Sequence, residues 1–327
     1  MDSKNIIRVI PDYASVEESA LYVIESVEES FNLMMESIGI EELQGFEETG
    51  IIVNEAEASE KRFDKIIEWL KSIWYKIRDA FDKGLNVIKK VIDNNKNKLK
   101  NSIKEKCKKM AKNLKADKNY GEVFEWNGFE NLIECKGPTW DALNSFDRYI
   151  KRINYAGPND PEIVSKNKTQ LHKVALDVEE AFKNSENVRG KRINVTKDYI
   201  VDNFEELWKY STDYNNTAAK AKKAINEIKK SFIETEKVFK QAAKNKENDN
   251  SEIIKAVVTE VKKNKVLYVK CGNMVISAIR SRCLEATRIM IRLVIAVKQR
   301  EEKEVKAESA MIESTTFQTE LASLFNF

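Results

Sequence analysis

A chain of 327 residues with only 10 Gly and 4 Pro lacks the turn residues that a sheet protein spends at its corners, so an all-α fold is expected. Charged residues make up 33% of it but nearly cancel, to +3, so the overall balance does not point to a nucleic-acid binder. The most apolar region, 266–297, carries Lys270, Arg280, Arg282, Glu285, Arg288 and Arg292, so no span of about 20 uncharged residues exists to cross a bilayer.

The amino-terminal MDSKNIIRVIPDY has no basic start followed by an apolar core, and a secretory signal is not expected. Ser15 and Glu18 form a capping box at the head of a predicted helix over 15–38, and Gly39 stops it. Val16, Ala20, Val23, Val27, Phe31, Met34 and Ile38 make one apolar stripe along that helix, with glutamate on the other face. Residues 40–60 contain two glycines and many acids, which predicts an irregular linker with a short strand at Ile51–Val53.

At Glu60–Lys61 the charge changes sign. Residues 1–60 hold 15 Asp/Glu against Lys4 and Arg8, whereas residues 61–118 hold 19 Lys/Arg against 7 acids. Two readings fit. The acidic helix folds back on the basic one, with the apolar stripes supplying most of the stability; or residues 1–60 are a propiece, cut at Glu60, that masks a basic surface.

From Phe63 to Ile92 the apolar residues keep helical period for about eight turns. Trp69 and Trp74 lie in this region and are candidate interaction residues. Residues 94–118 are read as the same helix continuing in a more solvated form. Their lysines, Lys96, Lys98, Lys100, Lys104, Lys108 and Lys109, lack arginine forks and interleaved aromatics, so they are read first as a solvated helix face and second as a nonspecific nucleic-acid contact. Next, Asn127-Gly128 between Val123–Trp126 and Phe129–Ile133 predicts a two-residue β-hairpin. Thr139 is the expected cap of the following helix, and AGPNDP at 156–161 breaks it.

Helices are expected over Glu162–Asn184 and again from Thr196, as cap, to the polar NKENDNS at 245–251. Ser251 can cap a final, very long helix. Over 252–300 alone it would exceed ~70 Å at ~1.5 Å per residue. Arg280, Arg288 and Arg292, set among Ile, Met and Val on this helix, suggest a packed protein interface. Phe317, Leu321, Leu324, Phe325 and Phe327 make the tail amphipathic, and it is expected to dock.

The overall expectation is a mainly α, elongated helical bundle with a small β-hairpin insertion. Its segments are an acidic 1–60 with one helix, a basic helix plus hairpin over 61–155, and a long-helix bundle over 156–327 that is continuous with 61–155 or separate from it. No nucleotide-binding, metalloprotease, esterase or EF-hand motif occurs, and Cys107, Cys135, Cys271 and Cys283 have no zinc spacing, so no cofactor or metal is expected. The cysteines are read as reduced intracellular thiols. His172, the single histidine, stands on a charged helical stretch with no nucleophile near it in sequence, and a surface or bundle-edge role is expected.

These features imply a noncatalytic structural or assembly protein that binds itself or other proteins through helix faces. The competing reading is a membrane-active protein using 61–92 and 252–300. An enzyme with unrecognised carboxylate chemistry is the third class. The lysine- and asparagine-rich, motif-free helices, the acidic leader and the Ala58-Ser59-Glu60 triplet resemble internal head or other virion structural proteins of tailed bacteriophages. That resemblance implies a location in the virion or the host cytoplasm and other virion proteins as partners.

Overall fold

The computed structural model describes residues 59–125, 129–155, 160–186, 191–244 and 251–325. The expected helix over 15–38, the strand at Ile51–Val53 and the Asn127-Gly128 turn lie outside these residues, as does any pairing of the acidic segment with the basic helix. The described residues form a mainly α bundle with one small two-stranded antiparallel sheet.

Helix α1 runs over Ser59–Asn95, as the apolar period requires. Phe63, Ile66, Ile67, Leu70, Ile73, Ile77, Phe81, Leu85, Ile88, Val91 and Ile92 are all buried along it, each contributing roughly 1.5–3 kcal/mol by leaving water. The expected continuation through the lysine run does not occur. Asn95 is buried and donates its side-chain amide to Thr287 Oγ1 at 3.0 Å and the Ser211 carbonyl at 3.5 Å. Its carbonyl accepts from both Lys98 and Leu99, which closes a turn and buries Leu99. Asparagine is a poor interior helix residue, and here its side chain is spent on two neighbouring elements. A separate helix, α2, then covers Asn101–Lys112.

Strand β1, Glu122–Glu125, begins where the hairpin was expected, but its partner is distant. It pairs antiparallel with β2, Lys191–Asn194, in the register Glu122↔Asn194 and Val123↔Ile193. The predicted second arm is instead a short helix, α3, over Phe129–Ile133. Glu134 N–H bonds the Glu130 carbonyl, Lys136 N–H bonds that of Asn131, and Cys135 takes the left-handed φ of 57° that such a helix end uses. Flanking bonds between Tyr120 and Val195, 2.8 Å, and Val195 and Gly121, 2.7 Å, extend the sheet, so KRIN satisfies the ladder and leaves 129–133 free to coil.

Helix α4, Pro138–Arg152, starts with Gly137 at φ 91° as its cap and Pro138 in the first turn. Thr139 is not the cap; its hydroxyl donates to the Ala181 carbonyl on α5, Pro161–Glu186. Thr196 does cap α6, Lys197–Asp202, by accepting from Tyr199 N–H. The expected single helix from there is divided at Asn203 and Asp213 into α6, α7 (Phe204–Thr212) and α8 (Tyr214–Lys244). Helix α9 spans Ser251–Phe325, 75 residues and therefore about 110 Å.

One contiguous apolar core takes residues from every helix between α1 and α9. Helix α9 is its axis and touches α1, α2, α5, α7 and α8. Its close approach is set at Gly272, where a Cβ would lie 2.8 Å from both Ile228 Cδ1 and Phe81 Cε2.

Candidate functional site

Two polar assemblies stand out, one inside the bundle and one on its surface. Lys265 sits on the buried stripe of α9 between Val261 and Tyr268 and is 0% exposed. Asp147 occupies the buried face of α4 beside Phe146 and Ile150, and Ser231 that of α8 beside Ile228 and Phe232. Lys265 Nζ donates to Asp147 Oδ1 at 2.8 Å and to Ser231 Oγ at 2.5 Å, while Ser231 and Tyr268 hydroxyls donate to Asp147 Oδ2, the latter at 2.8 Å. The ammonium also lies 4.8 Å from the Tyr268 ring centroid and 5.5 Å from that of Phe232.

A buried ammonium is unfavourable, and desolvation pulls Lys265 below its ordinary range, with Asp147 opposing it. Burial and the Asp147 charge push the Tyr268 phenol well up. Ser231 and Asp147 also line a cleft of about 380 Å3 with Asp141, Arg148, Lys230 and Glu234. A serine beside a lysine at an opening is a pattern of nucleophilic chemistry. Here, however, the lysine donates to the serine and the serine donates to the aspartate. The hydroxyl's proton is thus directed away from the nitrogen that would have to remove it, and three donors converge on one carboxylate. That geometry is an internally satisfied ion pair joining α4, α8 and α9.

The second assembly is a surface cleft of about 690 Å3 where the α1–α2 bend faces the α7–α8 junction. Lys89, Lys96, Lys100, Lys104 and Lys209 line it, over a floor that includes Ile92, Leu99 and Trp208. Its two carboxylates are engaged within the fold. Asp93 pairs with Lys96 at 2.5 Å, and Asp213 Oδ1 accepts from Asn216 N–H at 3.0 Å at the start of α8. Lys104 and Lys108 grip Glu205 at 2.7 and 2.8 Å, holding its carboxyl down at about 2. Lys89, Lys100 and Lys209 are exposed and make no ion pair with a described residue.

Of the residues singled out from sequence, Trp69 and Trp74 are half-buried against the core, the Trp74 ring 6.4 Å from Phe232. Arg280 is buried, Arg288 half-buried, and Arg292 donates to the Tyr120 carbonyl, so these three do not share one outward patch. Lys96, Lys100 and Lys104 meet in the cleft, Lys108 joins them through Glu205, and Lys98 and Lys109 flank them on the bend and on α2. Glu60 is in the first turn of α1. His172 is exposed, 3.7 Å from Glu260. Neither Asp147 nor Lys265 was singled out, although each stands at an apolar-stripe position of its helix, a lysine on one and an aspartate on the other.

Among the described residues no group of His, Cys, Asp and Glu is arranged to hold a metal, and no helix is long and apolar enough to cross a membrane. No protein-family model, characterised protein or solved structure matches the chain.

Proposed function

We propose that this chain is a noncatalytic structural or assembly protein that engages protein partners through helix faces, in the virion context that its resemblance to tailed-phage internal head proteins implies. The supporting observation is the course of α9. Val297 is the last of its described residues to be buried, and every residue from Lys298 to Ala307 is exposed, yet the helix continues to Phe325. Ten exposed residues in succession bury no face of that stretch, which is tied to α2 by the surface pair of Glu301 with Lys106 at 2.6 Å. An isolated helix is marginal in water, and the sequence beyond repeats apolar residues at Phe317, Leu321 and Leu324, a spacing that asks for a neighbour.

The membrane-active reading has less behind it. The apolar face of residues 63–92 that would enter a bilayer is already covered by the bundle, with Phe63, Leu70 and Phe81 each 2% exposed. Insertion would first have to open that core.

The test is native mass measurement of the full chain beside a Phe317→Glu/Leu321→Glu variant. A wild-type oligomer that becomes monomeric in the variant, with the same melting temperature for the bundle, is expected for self-association through α9. A monomeric wild type together with leakage of liposomes at low protein concentration would overturn the proposal. The same spectra read the mature terminus, which is Lys61 if residues 1–60 are a propiece and Met1 if they are retained.

A further inference from the structure

We propose that the cleft between the α1–α2 bend and the α7–α8 junction binds the phosphodiester backbone of a single-stranded nucleic acid, without reading its bases. The sequence separates the parts of this cleft by more than a hundred residues; folding joins them. Lys89, Lys96, Lys100 and Lys104 come from the bend, and Lys209 arrives from α7 on the opposite wall. Asp93 and Asp213 line the cleft as well; the first is paired with Lys96, while the second keeps its charge, its Oδ1 accepting the Asn216 N–H. Lys89, Lys100 and Lys209 form no ion pair with a described residue, so the cleft keeps an excess of positive charge even with Asp213 set against them.

The backbone contributes in the same direction. Helix α2 begins in the cleft at Lys100 and Asn101, with no side-chain cap and no acidic residue in its first turn. Helix starts commonly recruit Asp, Glu, Ser or Thr there, because the end of the dipole and its N–H groups favour an anion. This one has a lysine instead, so both the side chain and the helix end attract an external anion.

The chemistry selects the kind of anion. Lysine ammoniums are point charges that hold phosphate without the planar fork by which arginine reads guanine. Trp208 is 3% exposed and forms floor, stacked 6.0 Å from Phe204, so it cannot take a base; Tyr214 at the rim is half-buried and can meet one ring. Exposed Lys109 and Lys112 carry the basic track beyond the cleft along α2, which fits a polymer better than an isolated phosphate. A lipid surface is disfavoured because the site is concave and its apolar residues Ile92 and Leu99 are 1% and 4% exposed.

The experiment measures fluorescence anisotropy of a labelled oligothymidylate against the full chain. The comparison is with Lys89→Gln/Lys100→Gln/Lys209→Gln and with a control of equal charge change outside the cleft, on α5 and the distal half of α8, Lys166→Gln/Lys173→Gln/Lys237→Gln. Three neutralised phosphates at about 0.7 per phosphate make the wild-type salt slope steeper than the cleft variant's by about 2, which is roughly a 20-fold greater weakening from about 50 to 200 mM salt. The control should keep the wild-type slope. If the triple variant melts early, the single Lys100→Gln and Lys209→Gln variants carry the test, each expected to flatten the slope by about 0.7. Absence of wild-type binding at low salt, equal loss in the control, or phosphatidylserine vesicles binding more tightly than the oligonucleotide would each overturn the assignment.

Discussion

Replacing Lys265 by Met removes a charge from the centre of the bundle while keeping most of the side-chain volume. What it leaves behind is the Asp147 carboxylate, with only 10% of its side chain exposed and still accepting from Ser231 and Tyr268, but without a countercharge. Deleting one partner of a buried ion pair costs about 3–5 kcal/mol, because the orphaned charge keeps its desolvation penalty. For a chain of this length that corresponds to a fall in melting temperature on the order of 10 °C. Circular dichroism melts and urea titrations of Lys265→Met should show it. The double variant Lys265→Met/Asp147→Leu removes both charges; its remaining loss is the Tyr268 and Ser231 acceptor, about 1 kcal/mol for each hydrogen bond. It should therefore be more stable than the single variant. A Lys265→Met protein within about 1 kcal/mol of wild type would refute the reasoning, since the pair would then not be desolvated as described.

Two further outcomes follow from the packing and the surface charges. Gly272→Ala places a methyl group against Ile228 and Phe81 where only 2.8 Å is available, so overpacking of about 1–3 kcal/mol should outweigh the roughly 1 kcal/mol of helix propensity gained, and a denaturant midpoint at or above wild type would contradict it. Glu205, held down to about 2 from an ordinary 4.5 by Lys104 and Lys108, contributes stability that is fully present above about 4.5 and lost as pH falls through about 2. Half exposed as it is, the group should contribute less than about 1 kcal/mol, so Glu205→Gln should flatten the acid limb of the stability profile only slightly; a large loss at neutral pH would argue against a screened surface pair.

The helical elements were legible because periodicity is local. The stripe from Phe63 to Ile92 is buried at every position read into it but Trp74, which is half-buried, and Ser251 did open one very long helix. What escaped was set by partners far along the chain. Strand β1 could be seen in Val123 and its neighbours, but nothing in the adjacent residues says that its ladder is completed by KRIN at 191–194, and Asn-Gly offered a nearer, mistaken partner. The stop at Asn95 depends on Thr287 and Ser211, which no reading of the lysine run can supply. The Asp147–Lys265 pair left a faint trace, because two charges of opposite sign each interrupt an apolar stripe. The basic cleft left half of one: the lysines of the bend were visible, whereas Lys209 and Tyr214 belong to helices whose placement only tertiary packing decides.

Because α9 is both the axis of the core and the last helix in chain order, the faces of α1, α5, α7 and α8 turned toward it have nothing to close against while a ribosome is still adding residues beyond 250. At ~5–20 residues per second that interval lasts several seconds, during which those surfaces remain open to other nascent chains. A message cut short before residue 265 would leave an assembly deprived of its keystone, with Lys265 missing and Asp147 stranded. The seconds before α9 is complete are thus when this molecule is most open to misassociation.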